Sequence, residues 1–156
     1  MHSASVVSVR LDPVSGRVCA SGSVDGKCYI TSCFYEDTDS SSTQGPFGSV
    51  NSFGENLFSF SVIGWVNFVT FSSDSTTIAY ATHDSELNFA DVSKAAGGKS
   101  EKSMLLYNGN PLLQGNFINS NTFIGCGFDK VPLLFKKNGA SWSFVKHLDD
   151  GIKAVK

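Results

Sequence analysis

The chain has 156 residues, of which 41% are hydrophobic and 17% are charged, and its formal net charge is −2 at pH 7. This length and composition are typical of one globular domain and not of a disordered chain. The small negative charge excludes the basic field that gathers nucleic acid, and no apolar run approaches the roughly 18 residues that a membrane span needs.

The first part of the chain predicts three strands joined by turns. Val7, Val9 and Leu11 alternate with polar residues, which is typical of a half-buried strand. Proline and glycine in the next segment are turn residues, and strands at 17–21 and 28–34 follow on either side of a turn that contains Asp25. These elements form a first unit over 1–35.

Segment 36–56 is rich in Ser, Gly and Asp and is predicted to be a solvated insertion on the outer edge of this unit. Phe34, Phe47 and Phe53 lie in or near it. They are candidate contacts with a partner protein if they are exposed. The alternative is that they cover the edge of the sheet.

The same order of strands and turns then recurs twice, over 57–93 and 103–148. Asp84 and Asp129 occupy the turn that holds Asp25 in the first unit. Asp84 and Asp129 are 45 residues apart, whereas Asp25 and Asp84 are 59 apart because of the insertion. A period of about 40–45 residues with Asp in this turn indicates WD-repeat propeller blades.

The predicted fold is therefore all-β, with about three four-stranded WD-repeat blades that form a partial β-propeller over 1–156. Closed propellers have about four to eight blades, and three alone leave long apolar edges unpaired. We expect the chain to be a fragment of a longer protein. A different three-sheet β fold that closes on itself is the alternative.

Several segments resemble one family, the WD-repeat subunit of the actin-related protein 2/3 complex. The most specific are 64–72 (GWVNFVTFS), 78–85 (IAYATHDS) and 127–135 (GFDKVPLLF), supported by 20–28 and 46–48. The resemblance covers almost the whole chain and matches roughly three blades of a seven-bladed propeller. The Trp-Asp dipeptide of such repeats is degraded here, and its nearest equivalent is Ala90-Asp91.

The resemblance implies a non-catalytic scaffold that supports the nucleation of branched actin filaments through protein–protein contacts. The implied partners are the other subunits of the complex, actin filaments and the acidic tails of nucleation-promoting proteins. The implied location is the cytoplasm, at the actin cytoskeleton, with no cofactor. A WD-repeat adaptor for another assembly is the alternative function, and a small β-fold hydrolase is a remote one.

The candidate site residues are structural or surface groups. Asp25, Asp84 and Asp129 are predicted to accept backbone N–H bonds within their turns. His83 and Phe128, in the same turns, are candidate partner contacts. No catalytic or metal site is predicted, because the sequence has no nucleophile elbow and its Cys and His residues lack ligand spacing. The four cysteines are expected to be buried free thiols.

Overall fold

The computed structural model describes residues 1–39 and 43–150. Within these ranges the chain forms fourteen strands and one three-residue 3₁₀ turn. In chain order these are β1 (Val6–Leu11), β2 (Val18–Ser23), β3 (Lys27–Ser32), β4 (Thr43–Gly45), β5 (Gly48–Val50), β6 (Asn56–Ser61), β7 (Val66–Phe71), β8 (Thr77–Thr82), β9 (Glu86–Asp91), the 3₁₀ turn (Ala95–Gly97), β10 (Glu101–Leu106), β11 (Leu112–Asn119), β12 (Thr122–Gly127), β13 (Leu133–Asn138) and β14 (Ser141–His147).

Twelve of these strands form three four-stranded antiparallel sheets, with the orders β1-β2-β3-β6, β7-β8-β9-β10 and β11-β12-β13-β14. Strand β7 packs against both β1 and β11, so the first strands of the three sheets lie next to one another. This is the arrangement of successive propeller blades. The predicted all-β class with WD-repeat blades is confirmed.

The sheets divide the chain differently from the predicted units. Strand β6 pairs with β3, for example at Ile30 and Phe58, and so belongs to the first sheet and not to a unit over 57–93. Strand β10 pairs with β9 and belongs to the second sheet, although residues 103–106 fall in the predicted third unit. The reason is hydrogen bonding: the third strand of each sheet has a free edge, and a later strand of the chain pairs with that edge.

Two apolar clusters fill the space between the sheets. The first lies between sheets one and two, where the rings of Phe60 and Tyr80 stack with centroids 5.3 Å apart. The second lies between sheets two and three and centres on Phe123, which is 0% exposed. A Cβ at Gly115 would lie 2.2 Å from Cζ of Phe123, so this strand needs glycine to let the ring pack.

The apolar side of β1 faces solvent. Val7, Val9 and Leu11 are 52%, 51% and 58% exposed, whereas Ser8 on the opposite side is buried. The hydroxyl of Ser8 accepts a hydrogen bond of 3.1 Å from the backbone N–H of Val69, because sheet two packs on that side. The alternation predicted the strand correctly, but its more polar side is the one that faces a neighbouring sheet.

The insertion contains a hairpin, β4–β5, that is packed rather than fully solvated. Phe47 at its tip is buried, and its ring lies edge-on to Phe71 of the second sheet with centroids 6.5 Å apart. The carbonyl of Pro46 accepts a 2.8 Å bond from the N–H of Ala96. The expectation of a solvated insertion is therefore wrong for this hairpin, which bridges the first two sheets.

Candidate functional site

The three predicted turn aspartates lie at equivalent places. Asp25, Asp84 and Asp129 each follow the second strand of a sheet, namely β2, β8 and β12. The turns of the first two sheets also share a backbone shape, because Gly26 and Ser85 both have positive φ angles, 75° and 63°. We call the edge formed by these three turns the turn edge.

Asp25 is held by several donors. Its carboxylate accepts bonds from the backbone N–H of Ser3 at 2.8 Å and of Lys27 at 3.0 Å. Nδ1 of His2 lies 3.1 Å from Oδ2, and the two side chains are only 9% and 4% exposed. Burial raises the pKa of Asp25, but the bonds from Ser3, His2 and Lys27 outweigh it and lower the pKa to about 2. The predicted turn role of this residue fits the geometry.

His2 also connects this turn to the second strand. Its Nε2 lies 2.8 Å from the hydroxyl of Ser21, and its ring packs on Tyr29 with centroids 4.6 Å apart. Serine, histidine and aspartate thus have the connectivity of a hydrolytic triad. However, Ser21 pairs with Tyr29 in the middle of the sheet and is not on a sharp turn. The group holds the segment before β1 against the first turn.

Sequence reasoning overlooked His2. The signal that was available is topological: β1 and β2 are antiparallel, so the residues before β1 and the residues after β2 meet at one edge of the sheet. A histidine four residues before an alternating strand was therefore within reach of Asp25.

The other two turn aspartates have different surroundings. Asp129 accepts a 2.8 Å bond from the side-chain amide of Asn110. Asp84 is exposed and, within the part of the chain that the structure describes, has no hydrogen bond or ion pair. Among the described residues, the expected backbone N–H bonds are thus formed neither at Asp84 nor at Asp129. The carboxylate of Asp84 lies over Gly64, where an added Cβ would be 2.1 Å from Oδ2.

An exposed group of aromatic side chains lies beside Asp84. Trp65 and Phe128 are 56% and 58% exposed. The ring of His83 lies between them, 5.6 Å from Trp65 and 6.1 Å from Phe128 by centroid. The structure therefore brings together two candidate contact residues, His83 and Phe128, and adds Trp65. Ile63, 98% exposed, is two residues before Trp65; we call these four residues the aromatic patch.

The three phenylalanines near the insertion differ from one another. Phe34 and Phe47 are buried, 7% and 8% exposed, so they do not form the exposed contacts that were predicted. Phe34 packs under the guanidinium of Arg17, 5.9 Å from the ring centroid, and Phe47 packs against the second sheet. Phe53 is 72% exposed and contacts Tyr35. A partner contact at Phe53 stays a prediction.

The cysteines are free thiols, but only Cys28 is buried, and Cys126 is exposed. The expectation that all four are buried is wrong. The described residues hold no group of three His, Cys, Asp or Glu side chains that could bind a metal ion. Residues 1–39 and 43–150 also contain no helix with the length and hydropathy needed to cross a bilayer.

Comparison with known proteins agrees with the resemblance in the sequence. The chain is 34% identical over 134 residues to actin-related protein 2/3 complex subunit 1A-B of Xenopus laevis. It is 28% identical over 151 residues to subunit 1A of Arabidopsis thaliana and 27% identical over 132 residues to subunit 1 of Schizosaccharomyces pombe. The chain is similar to subunit 1 of the actin-related protein 2/3 complex.

The similarity covers most of this chain but little more than a third of each relative. The matches with the frog, plant and yeast subunits cover 83%, 96% and 85% of this chain but only 35%, 39% and 35% of the relatives. The chain therefore spans little more than a third of the length of the curated relatives that it matches. No protein-family model matches the chain. The predicted resemblance to subunit 1 is confirmed.

Proposed function

We propose that this chain acts within an actin-related protein 2/3 complex as part of a non-catalytic scaffold subunit. The observation that carries the proposal is the similarity to subunit 1 of that complex in a frog, a plant and a yeast over most of the chain. The fold supports it, because four-stranded blades present rigid turns and broad sheet faces to other chains.

In this proposal the chain positions other proteins and performs no bond chemistry. Its contacts with the other subunits support nucleation of branched actin filaments, and the complex meets actin filaments and acidic nucleation-promoting tails at the actin cytoskeleton of the cytoplasm. The network of His2, Ser21 and Asp25 contributes to folding, because its carboxylate is already occupied by backbone N–H groups.

The experiment is purification of the tagged full chain from its native cells, followed by mass spectrometry of the proteins recovered with it. We expect the actin-related proteins and companion subunits. The matched control is Gly127→Val, since a Cβ there would lie 2.1 Å from the backbone oxygen of Pro111 and disrupt the third sheet.

Loss of the complex subunits in this variant, with their recovery by the unaltered chain, supports the scaffold function. A chain that is folded by circular dichroism and recovers none of these subunits overturns it.

A further inference from the structure

Within the part of the chain that the structure describes, the carboxylate of Asp84 in the turn edge has no hydrogen-bond or ion-pair partner. In the first turn His2 and the N–H of Ser3 bind Asp25, and in the third turn Asn110 binds Asp129. The equivalent segment before β7 supplies Gly64 and Trp65, which have no polar side chain that could donate to Asp84 except the indole N–H. No such bond is formed by the described residues. The carboxylate of Asp84 is therefore open to an external donor.

This open carboxylate lies next to residues of the aromatic patch. Asp84 follows His83 in the chain and its carboxylate lies over Gly64, the residue before Trp65. The patch residues Trp65, Phe128 and Ile63 are 56%, 58% and 98% exposed. Clustered exposed side chains of this size mark interaction sites in soluble proteins.

A carboxylate beside an exposed indole is suited to a cation. The face of an aromatic ring carries negative electrostatic potential, and it attracts guanidinium and ammonium groups. The carboxylate adds a charge-assisted hydrogen bond, which is strongest with the planar arginine side chain. An acidic segment would be repelled by both groups.

The wider charge distribution agrees with this preference. Glu86 at the start of β9 and Asp129 in the next turn add negative charge to the same edge. Lys27 follows Asp25 and the exposed Lys130 follows Asp129, so these cations lie on the sides of the first and third sheets. The cation is therefore best placed at the Trp65 end, next to Asp84, with apolar side chains toward Ile63 and Phe128.

We propose that the aromatic patch and Asp84 form a docking surface for a protein segment that carries an arginine or lysine flanked by apolar side chains. The basic group lies against the indole of Trp65 and donates to Asp84. The flanking apolar side chains cover Ile63 and Phe128. This proposal holds whether or not the chain belongs to the actin-related protein 2/3 complex, because it depends only on the chain's own surface.

The test is a selection of random twelve-residue peptides on the purified full chain. The affinity of each enriched peptide is then measured by fluorescence anisotropy. Three substitutions test the site: Asp84→Asn removes the charge, Trp65→Ala removes the indole and Phe128→Ala removes an apolar flank. Asp37→Asn and Phe53→Ala are matched controls, since these exposed residues belong to the insertion. Far-ultraviolet circular dichroism checks that each variant is folded.

We expect enriched peptides to contain arginine or lysine next to apolar residues and to bind about tenfold more weakly to Asp84→Asn and to Trp65→Ala. Their binding should weaken with salt, because an exposed ion pair is screened. Asp37→Asn and Phe53→Ala should bind like the unaltered chain. The proposal is overturned by a selection without binders, by peptides without a basic residue, or by binding that depends on Phe53 or Asp37 instead of Trp65 and Asp84.

Discussion

Replacement of Asp25 by asparagine tests whether the hydrogen bonds to its carboxylate stabilise the first turn. The change removes the negative charge that draws donors from Ser3, His2 and Lys27 while keeping the size of the side chain. Hydrogen bonds to a charged group contribute about 1.5–3 kcal/mol, and an amide oxygen retains part of this. We expect Asp25→Asn to lower the free energy of unfolding by about 1–3 kcal/mol, out of a total of about 5–15 kcal/mol for a domain.

Urea unfolding at pH 7 measures this loss, with tryptophan fluorescence as the probe. Trp142 is 5% exposed and reports unfolding of the second cluster. With an m-value of about 2 kcal/mol per molar urea, the midpoint should fall by about 0.5–1.5 M. The matched control is Asp84→Asn, at the equivalent turn, which should change stability by less than about 0.5 kcal/mol because no described donor binds that carboxylate.

The same variant predicts a change in pH dependence. Since folding lowers the pKa of Asp25 from 3.8 to about 2, its ionised form stabilises the folded state above about pH 4. That contribution is lost as the pH falls from about 4 toward 2. The unaltered chain should therefore lose more stability over this range than Asp25→Asn does. Equal losses of stability at pH 7 from Asp25→Asn and Asp84→Asn would refute a stabilising role of the Asp25 carboxylate. The same conclusion would follow if the unaltered chain and Asp25→Asn lost stability equally between about pH 4 and pH 2.

Three further predictions concern packing and accessibility. Phe47→Ala should lower the free energy of unfolding by about 3 kcal/mol in urea titrations, because it removes a buried ring between two sheets. The control Phe53→Ala truncates an exposed ring and should change the free energy of unfolding by less than about 0.5 kcal/mol. Equal losses of stability in the two variants would contradict the packing of the β4–β5 hairpin against the second sheet. Gly115→Ala should cost about 1–3 kcal/mol by the same measurement, since its Cβ would meet Phe123; an unchanged midpoint would contradict this packing. In native thiol titration with a disulfide reagent at pH 8, Cys126 should react first and Cys28 last, because burial raises the pKa of the Cys28 thiol; Cys126→Ser should remove the fast phase.

The repeat explains why so much of the fold could be predicted. Alternating apolar residues and an Asp-containing turn recur along the chain, and each repeat contributes at least three consecutive strands to one antiparallel sheet. The position of the sheet boundaries could not be predicted as well, because a short apolar strand such as β6 can pair forward or backward along the chain. Backbone hydrogen bonding to the free edge of β3 decides this, and it is a tertiary contact.

The sequence pattern also did not predict which side of a strand is buried. In β1 the valines predict an apolar buried side, yet Ser8 faces sheet two, where its hydroxyl accepts a bond from the N–H of Val69. The burial of Phe47 depends in the same way on where the hairpin docks. Candidate contact residues chosen by residue type alone therefore divided into buried groups, such as Phe34 and Phe47, and exposed ones, such as Phe53 and Phe128.

The turn aspartates show how one position of a repeat can have different surroundings in each sheet. The repeat places a carboxylate after the second strand of every sheet, while the segment before the first strand varies from one sheet to the next. Where that segment supplies His2 or Asn110, the carboxylate accepts a hydrogen bond from that side chain, which fastens the loop. Where it supplies Gly64 and Trp65, the same carboxylate stays open beside an exposed ring. Since the carboxylate position is the same in each sheet, the variable segment before the first strand determines whether a turn stabilises the fold or is available to a partner.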